Sequence, residues 1–232
     1  MRSVECGARS AVAGALWALA ATTGATQSIA RRVAEAPDGT VRFAFAARPG
    51  VTGDGEGNIR HDDDGWRHAP CDTGPVRVRL TVRGGTVRAA AVAVGAERHG
   101  DGLDLGRVPA AEATRYLVAL ARSAPDRVGR EAVLAAALAD SVAVWPDLLA
   151  LARDSAVASD TRRAAVFWVG QAAEEAATRG LEELADRSDA DREIQDAAVF
   201  ALSQRPADEG VPVLIRLART HRDPAVRRRA MF

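Results

Sequence analysis

Residues 160–171 read DTRRAAVFWVGQ and residues 192–204 read REIQDAAVFALSQ, and the overlap between them decides the architecture. Leu134, Phe167, Phe200 and Phe232 fall 33, 33 and 32 residues apart, and Ala132, Ala165, Ala198 and Ala230 each sit two residues earlier. A second register keeps the same beat. It contains Leu148, Leu181 and Leu214, then Leu151, Leu184 and Leu217, then Ala152, Ala185 and Ala218. Two registers in one phase predict a repeated pair of helices, because one pair cannot bury its apolar face alone and stacked neighbours share a core. The recurring Ala lets helices approach closely, and Leu and Phe are expected to fill the space between layers.

The first helices of the pairs are expected at 129–139, 160–173, 191–203 and 224–232, and the second at 146–153, 177–186 and 210–219. Tyr116 to Arg122 aligns with residues 148–153 at a shift of 31, which makes it the second helix of a degenerate first unit. The connections Ser188-Asp189-Ala190-Asp191 and His221-Arg222-Asp223-Pro224 carry turn and cap residues.

These segments, together with DPAVRRRAMF at 223–232, resemble the first helices of HEAT repeats in their short bacterial form, the form also found in lyases that attach bilin pigments. The pattern Asp–x–x–Val–Arg–x–x–Ala stands as Asp223, Val226, Arg227 and Ala230, and less completely as Asp191, Ile194, Gln195 and Ala198. In the unit that begins at Asp160 the spacing shrinks by two residues. The resemblance covers 107–232 and implies a right-handed α-solenoid that recognises a macromolecule; it implies no reaction. Solenoids of this family line their concave face with the second helices. On those helices Arg153, Glu182, Glu183, Asp186, Arg216 and Arg219 lie between the Leu rows. They are the candidate partner-binding residues, and a solvated face with weak ion pairs is the equal alternative.

Ahead of the repeats, 38–106 reads as a small β unit. Val41, Phe43 and Phe45 alternate with Arg42, Ala44 and Ala46, the period of a half-buried strand. Residues 76–94, VRVRLTVRGGTVRAAAVAV, read as a hairpin turning at Gly84-Gly85. Pairing Arg83 with Thr86 predicts Val82 opposite Val87, Leu80 opposite Ala89 and Val78 opposite Ala91, with Arg77, Arg79, Arg83 and Arg88 on the other face. The expected fold is therefore mainly α with a small β region: an antiparallel β-hairpin domain capping a solenoid of HEAT-like helix pairs. Trp66, Trp145 and Trp168 are expected in cores. The final repeat stops at the midpoint of a first helix, as if the chain were a fragment or relied on a partner there.

Residues 1–30 resemble an export signal. Arg2 and Arg9 precede the short apolar run AVAGALWALAA at 11–21, and small residues follow through Ala25. The run is too short for a comfortable membrane span, and an Ala-rich helix capping the fold is the alternative. Export predicts a periplasmic or secreted protein. Signal removal takes Cys6 and leaves Cys71 alone, so no intrachain disulfide is expected.

The chain carries 31 basic and 31 acidic residues, every basic one an Arg, so nothing global draws it to nucleic acid. No Gly-x-Ser-x-Gly elbow, P-loop or dinucleotide fingerprint is present. Asp54 to Asn58 fails the EF-hand pattern, with Ile59 at position six and Gly65 at position twelve. The densest polar cluster runs from His61 through Asp62, Asp63, Asp64 and His68 to Cys71. Its spacing matches no zinc module, and an acidic solvated loop is the simpler account. The expected function is a non-enzymatic interaction scaffold of the bacterial envelope that binds a protein or peptide, with no catalytic residues, metal or cofactor. A metal- or thiol-dependent hydrolase or lyase built on the His61–Cys71 loop is the alternative.

Overall fold

Alternating Val and Phe at 41–45 and Val and Leu at 76–82 give two strands one apolar face each, and the amphipathic helices that follow supply the surface that buries it. The computed structural model describes residues 27–55, 59–61, 73–95, 100–187 and 191–231. In chain order the elements are α1 (Ile29–Ala34), β1 (Gly39–Phe45), β2 (Val51–Gly53), β3 (Ile59–His61), β4 (Val76–Arg83), β5 (Thr86–Val94) and β6 (Leu103–Arg107). The helices α2 (Ala110–Ser123), α3 (Asp126–Ala137), α4 (Trp145–Arg153), α5 (Ser159–Gly170), α6 (Glu175–Asp186), α7 (Arg192–Ser203), α8 (Ala207–Thr220) and α9 (Pro224–Arg229) follow. The described residues are mainly helical, and no helix among them is long and apolar enough to cross a membrane. Of the segment resembling a signal, only 27–30 are described. Ser28 caps α1, accepting from the Arg31 amide, and Ile29 is buried while its amide donates to Glu112 of α2 at 3.0 Å.

The main sheet has the order β5-β4-β1-β6. It is mixed, not antiparallel throughout: β1 pairs antiparallel with β4 but parallel with β6. The parallel partner arrives after a long excursion through β4 and β5, so no hairpin signal marks it. The Gly84-Gly85 turn forms as expected, with φ of 56° and 68°, and Val82 faces Val87. Beyond that pair the expected register fails. One extra residue in β5 shifts the pairing to Thr81–Ala89, Leu80–Ala90 and Val78–Val92. The bulge reverses the phase of the strand, so Val87, Val92 and Val94 all face inward and Ala89 and Ala91 face out. Burying Val in place of Ala removes more apolar surface from water, which outweighs the ladder bond lost at the bulge.

The sheet's inner face closes on the first helices. Phe43 meets the ring of Tyr116 edge-on at 6.1 Å, and β5 lies against α3. The chain after β1 forms an isolated bridge from Ala47 to Ala139, with Arg48 N–H donating to the Leu138 carbonyl at 2.9 Å. Arg48 also stacks its guanidinium over Trp168 at 5.5 Å. Burial pushes the Arg48 pKa down and raises that of Tyr116 to about 12.

Most of the helices pack on the next helix, as α2 does on α3 and α4 on α5, and each from α2 to α7 packs on the helix after the next. Thus α3 packs on α5, α5 on α7 and α7 on α9, while α2 packs on α4, α4 on α6 and α6 on α8. Ala132, Ala165 and Ala198 are buried at these contacts, as are Leu148, Leu181, Leu151, Leu184 and Leu217. Gly129 permits the closest approach of α3 to α5, because a Cβ there would collide with Thr161. The Phe positions correct the expectation. Phe167 is 46% exposed and Phe200 57%, and Leu134 is only partly covered. The space between layers is filled by Val166, Val169, Val199 and Leu202. Phe follows Val by one residue, a turn of about 100° that carries it to the outer face.

Candidate partner-binding face

The repeat period reappears in the hydrogen bonds that close the second helices. The last carbonyls of any helix lack intrahelical donors. At the end of α4, Arg162 Nε of α5 donates to the Ala152 carbonyl at 3.2 Å. One period later, Gln195 Nε2 of α7 donates to the Ala185 carbonyl at 3.4 Å and to that of Arg187 at 2.6 Å. After α8, Arg227 of α9 donates to His221 and Arg222 carbonyls at 2.7 and 3.1 Å. The Asp of the same pattern caps its own helix: Asp191 accepts from the Glu193 amide at 3.1 Å and Asp223 from the Ala225 amide at 2.7 Å. Both halves of the Asp–x–x–Val–Arg pattern thus satisfy backbone groups that helix ends leave bare.

The six candidate residues lie along α4, α6 and α8 or at their ends, and most of them meet other side chains of the chain. Arg153 pairs with Glu183, and Glu182 pairs with Arg216. Asp186 lies 3.5 Å from Nε2 of the buried His221, whose Nδ1 accepts from the Asp223 amide at 3.0 Å. The Arg122–Asp154 pair at 2.7 Å extends this ladder back to α2. Arg219 is exposed and has no ion pair among the described residues. Each rung joins successive second helices, and exposed pairs of this kind contribute about 0–1 kcal/mol. The ladder therefore presents to solvent a surface of opposed, largely compensated charges. Between α4 and α6 it borders a cleft of about 460 Å³, walled by Arg153, Arg162, Arg187 and Asp191.

A polar cluster that periodicity did not single out sits between α6 and α8. The Arg205 side chain is 2% exposed. It donates to the Thr178 hydroxyl at 2.9 Å, to Glu209 at 2.6 Å and to the carbonyls of Gly170, Ala172 and Glu174. The Thr178 hydroxyl donates to the same Glu209 carboxylate at 2.6 Å. That bond, followed by the guanidinium, holds the Glu209 carboxyl below the usual glutamate range. The spacing Arg205–x3–Glu209 within a helix start was the available signal. These groups all satisfy one another, so the cluster is a clasp between units rather than an open site.

The alternative site falls on His61, His68 and Cys71. Only the backbone of His61, in β3, is described; His68 and Cys71 lie outside the described residues. Among the described residues, no group of three His, Cys, Asp or Glu side chains is placed to hold a metal ion. Compared with known proteins, the chain matches no family model, no curated protein and no solved structure.

Proposed function

We propose that this chain is a non-enzymatic interaction scaffold, exported to the bacterial envelope, whose helices stack as a right-handed solenoid of HEAT-like pairs. It binds a protein or peptide on the face formed by α4, α6 and α8, without metal or cofactor. The observation that carries the reading is the repeat of one contact scheme: every second helix packs on its counterpart, and Arg162 and Gln195 make the same closing bond one period apart. A stack of this kind offers a long surface built from repeated units, the kind of surface on which repeat proteins bind partners. The charge ladder supplies orientation and specificity to a partner rather than raw affinity.

The test is capture of partners by the immobilised chain, followed by the charge reversal Glu183→Arg with Arg216→Glu. The variant breaks two rungs, Arg153–Glu183 and Glu182–Arg216, while both sites stay at the surface. Loss of a partner that the unaltered chain retains supports this face, and retention rejects it. A second reading rests on the exposed row of Phe167 and Phe200 on the outer helices α5 and α7. Large apolar side chains left in solvent mark contact surfaces when they are contiguous. Phe167→Ser with Phe200→Ser separates the two readings, since only the outer-face reading loses the partner with that variant.

A further inference from the structure

The solvent face of the main sheet carries two rows of side chains that cross all four strands. The register places Arg79 between Ala91 and Arg42, with Asp104 beyond Arg42. The neighbouring row places Arg77 between Ala93 and Ala44, with Arg107 beyond Ala44. Four guanidiniums thus surround one small residue. Ala44 leaves a gap between Arg77 and Arg107, two strand spacings or roughly 10 Å apart. The gap opens into a hollow of about 890 Å³ on the face opposite the core.

Among the described residues the basic side chains of this hollow are unevenly engaged, and Arg77 already donates from Nε to the Gly95 carbonyl at 3.0 Å. Asp104 approaches Arg42 at 3.7 Å, and Asp101 lies at the rim. Among the described residues no ion pair reaches Arg79 or Arg107. Arg42 Nε is shut off from solvent and has no acceptor among the described residues. Arg42 and Arg79 face each other directly across the strands, an arrangement of like charges that destabilises a sheet. A solvated sheet face has no need of that repulsion. A ligand that places negative oxygens over Ala44 and between Arg42 and Arg79 removes it, and guanidiniums grip such oxygens in pairs.

We propose that this hollow is a binding site for a small, freely diffusing ligand that carries two or more oxyanion groups. The site is separate from the helical faces considered above and stands whether or not those bind a partner.

Pyrophosphate is the probe, titrated into the full chain by calorimetry at low ionic strength, where screening is weakest. The expected result is saturable binding that is weakened about tenfold or more by Arg79→Gln with Arg107→Gln. Both residues are exposed, so the helical circular dichroism stays unchanged. A control pair on α3, Arg127→Gln with Arg130→Gln, removes the same charge elsewhere and leaves binding within about twofold. Citrate, whose oxyanions are carboxylates, is expected to displace pyrophosphate, whereas acetate at equal concentration is not. Absence of saturable binding overturns the proposal, as does equal weakening in the control pair. Binding to phosphatidic acid vesicles without binding to free pyrophosphate overturns it as well, by assigning the hollow to a membrane surface.

Discussion

Replacing Arg205 with Met removes the guanidinium of the clasp between α6 and α8 and keeps most of the aliphatic stem. The wild-type group is 2% exposed and gives up hydrogen bonds to Thr178, Glu209 and three carbonyls. Taking one partner from a buried ion pair costs about 3–5 kcal/mol when the other charge is trapped. Here the Glu209 side chain is 21% exposed and can turn toward water, which brings the cost below that range, to roughly 2–3 kcal/mol. For a chain of this size that lowers Tm by about 4–12 °C. The assay is urea unfolding followed by far-ultraviolet circular dichroism, with Arg163→Met as the comparison. Arg163 pairs with both Asp160 and Glu193 but is 44% exposed, so its loss is expected to cost less than about 1 kcal/mol. The double variant Arg205→Met, Glu209→Gln should recover part of the loss, because no uncompensated carboxylate remains. Equal destabilisation by Arg205→Met and Arg163→Met refutes the argument, since burial would then decide nothing.

Ala198→Arg forces a long charged side chain into the contact between α5 and α7 and is expected to cost several kcal/mol; unchanged thermal melting rejects the repeat register. Val92→Ala is expected to cost about 1–2 kcal/mol and Ala91→Ser almost nothing in urea titrations, and the reverse order rejects the bulge in β5. The carboxyl of Glu209 is held below the ordinary glutamate range when folded, so its stabilising contribution is complete above that range. It is lost as pH falls through the lowered folded value, so the wild-type chain should lose stability in acid more steeply than Glu209→Gln, and parallel acid titrations of the two remove this assignment.

The sequence carries the helical period because small and large apolar residues recur at equal intervals, and Ala165 with Ala198 and Leu148 with Leu181 occupy matching buried positions. It does not carry the face. Val199 and Phe200 are adjacent and both apolar, and only the tight approach of α5 to α7 decides between them. A Cβ at Gly170 would stand 3.0 Å from Ala201 Cβ, so the seam has room for Val and Leu and leaves Phe outside. The bulge near Arg88 was equally hidden, since VRAAAVAV satisfies alternation in either phase until the core chooses the larger side chains. The candidate residues on α4, α6 and α8 were legible as surface positions. Their pairing across successive helices was not, because it joins side chains about thirty residues apart. Arg205 stands in no apolar rhythm, and its importance comes from the carbonyls that other segments bring to it.

The closing bonds on the second helices all point the same way along the chain: Arg162 completes α4, Gln195 completes α6 and Arg227 completes α8. In vectorial synthesis the donor therefore always leaves the ribosome after the helix it finishes. Each second helix waits for the start of the following unit, and consolidation advances in steps that trail the growing chain by one helix. A pause that keeps Arg162 or Gln195 inside the ribosomal exit tunnel while the preceding helix has emerged would hold a frayed helix end open to proteases, so pulse-labelled nascent chains should be cut most readily when stalled in that window.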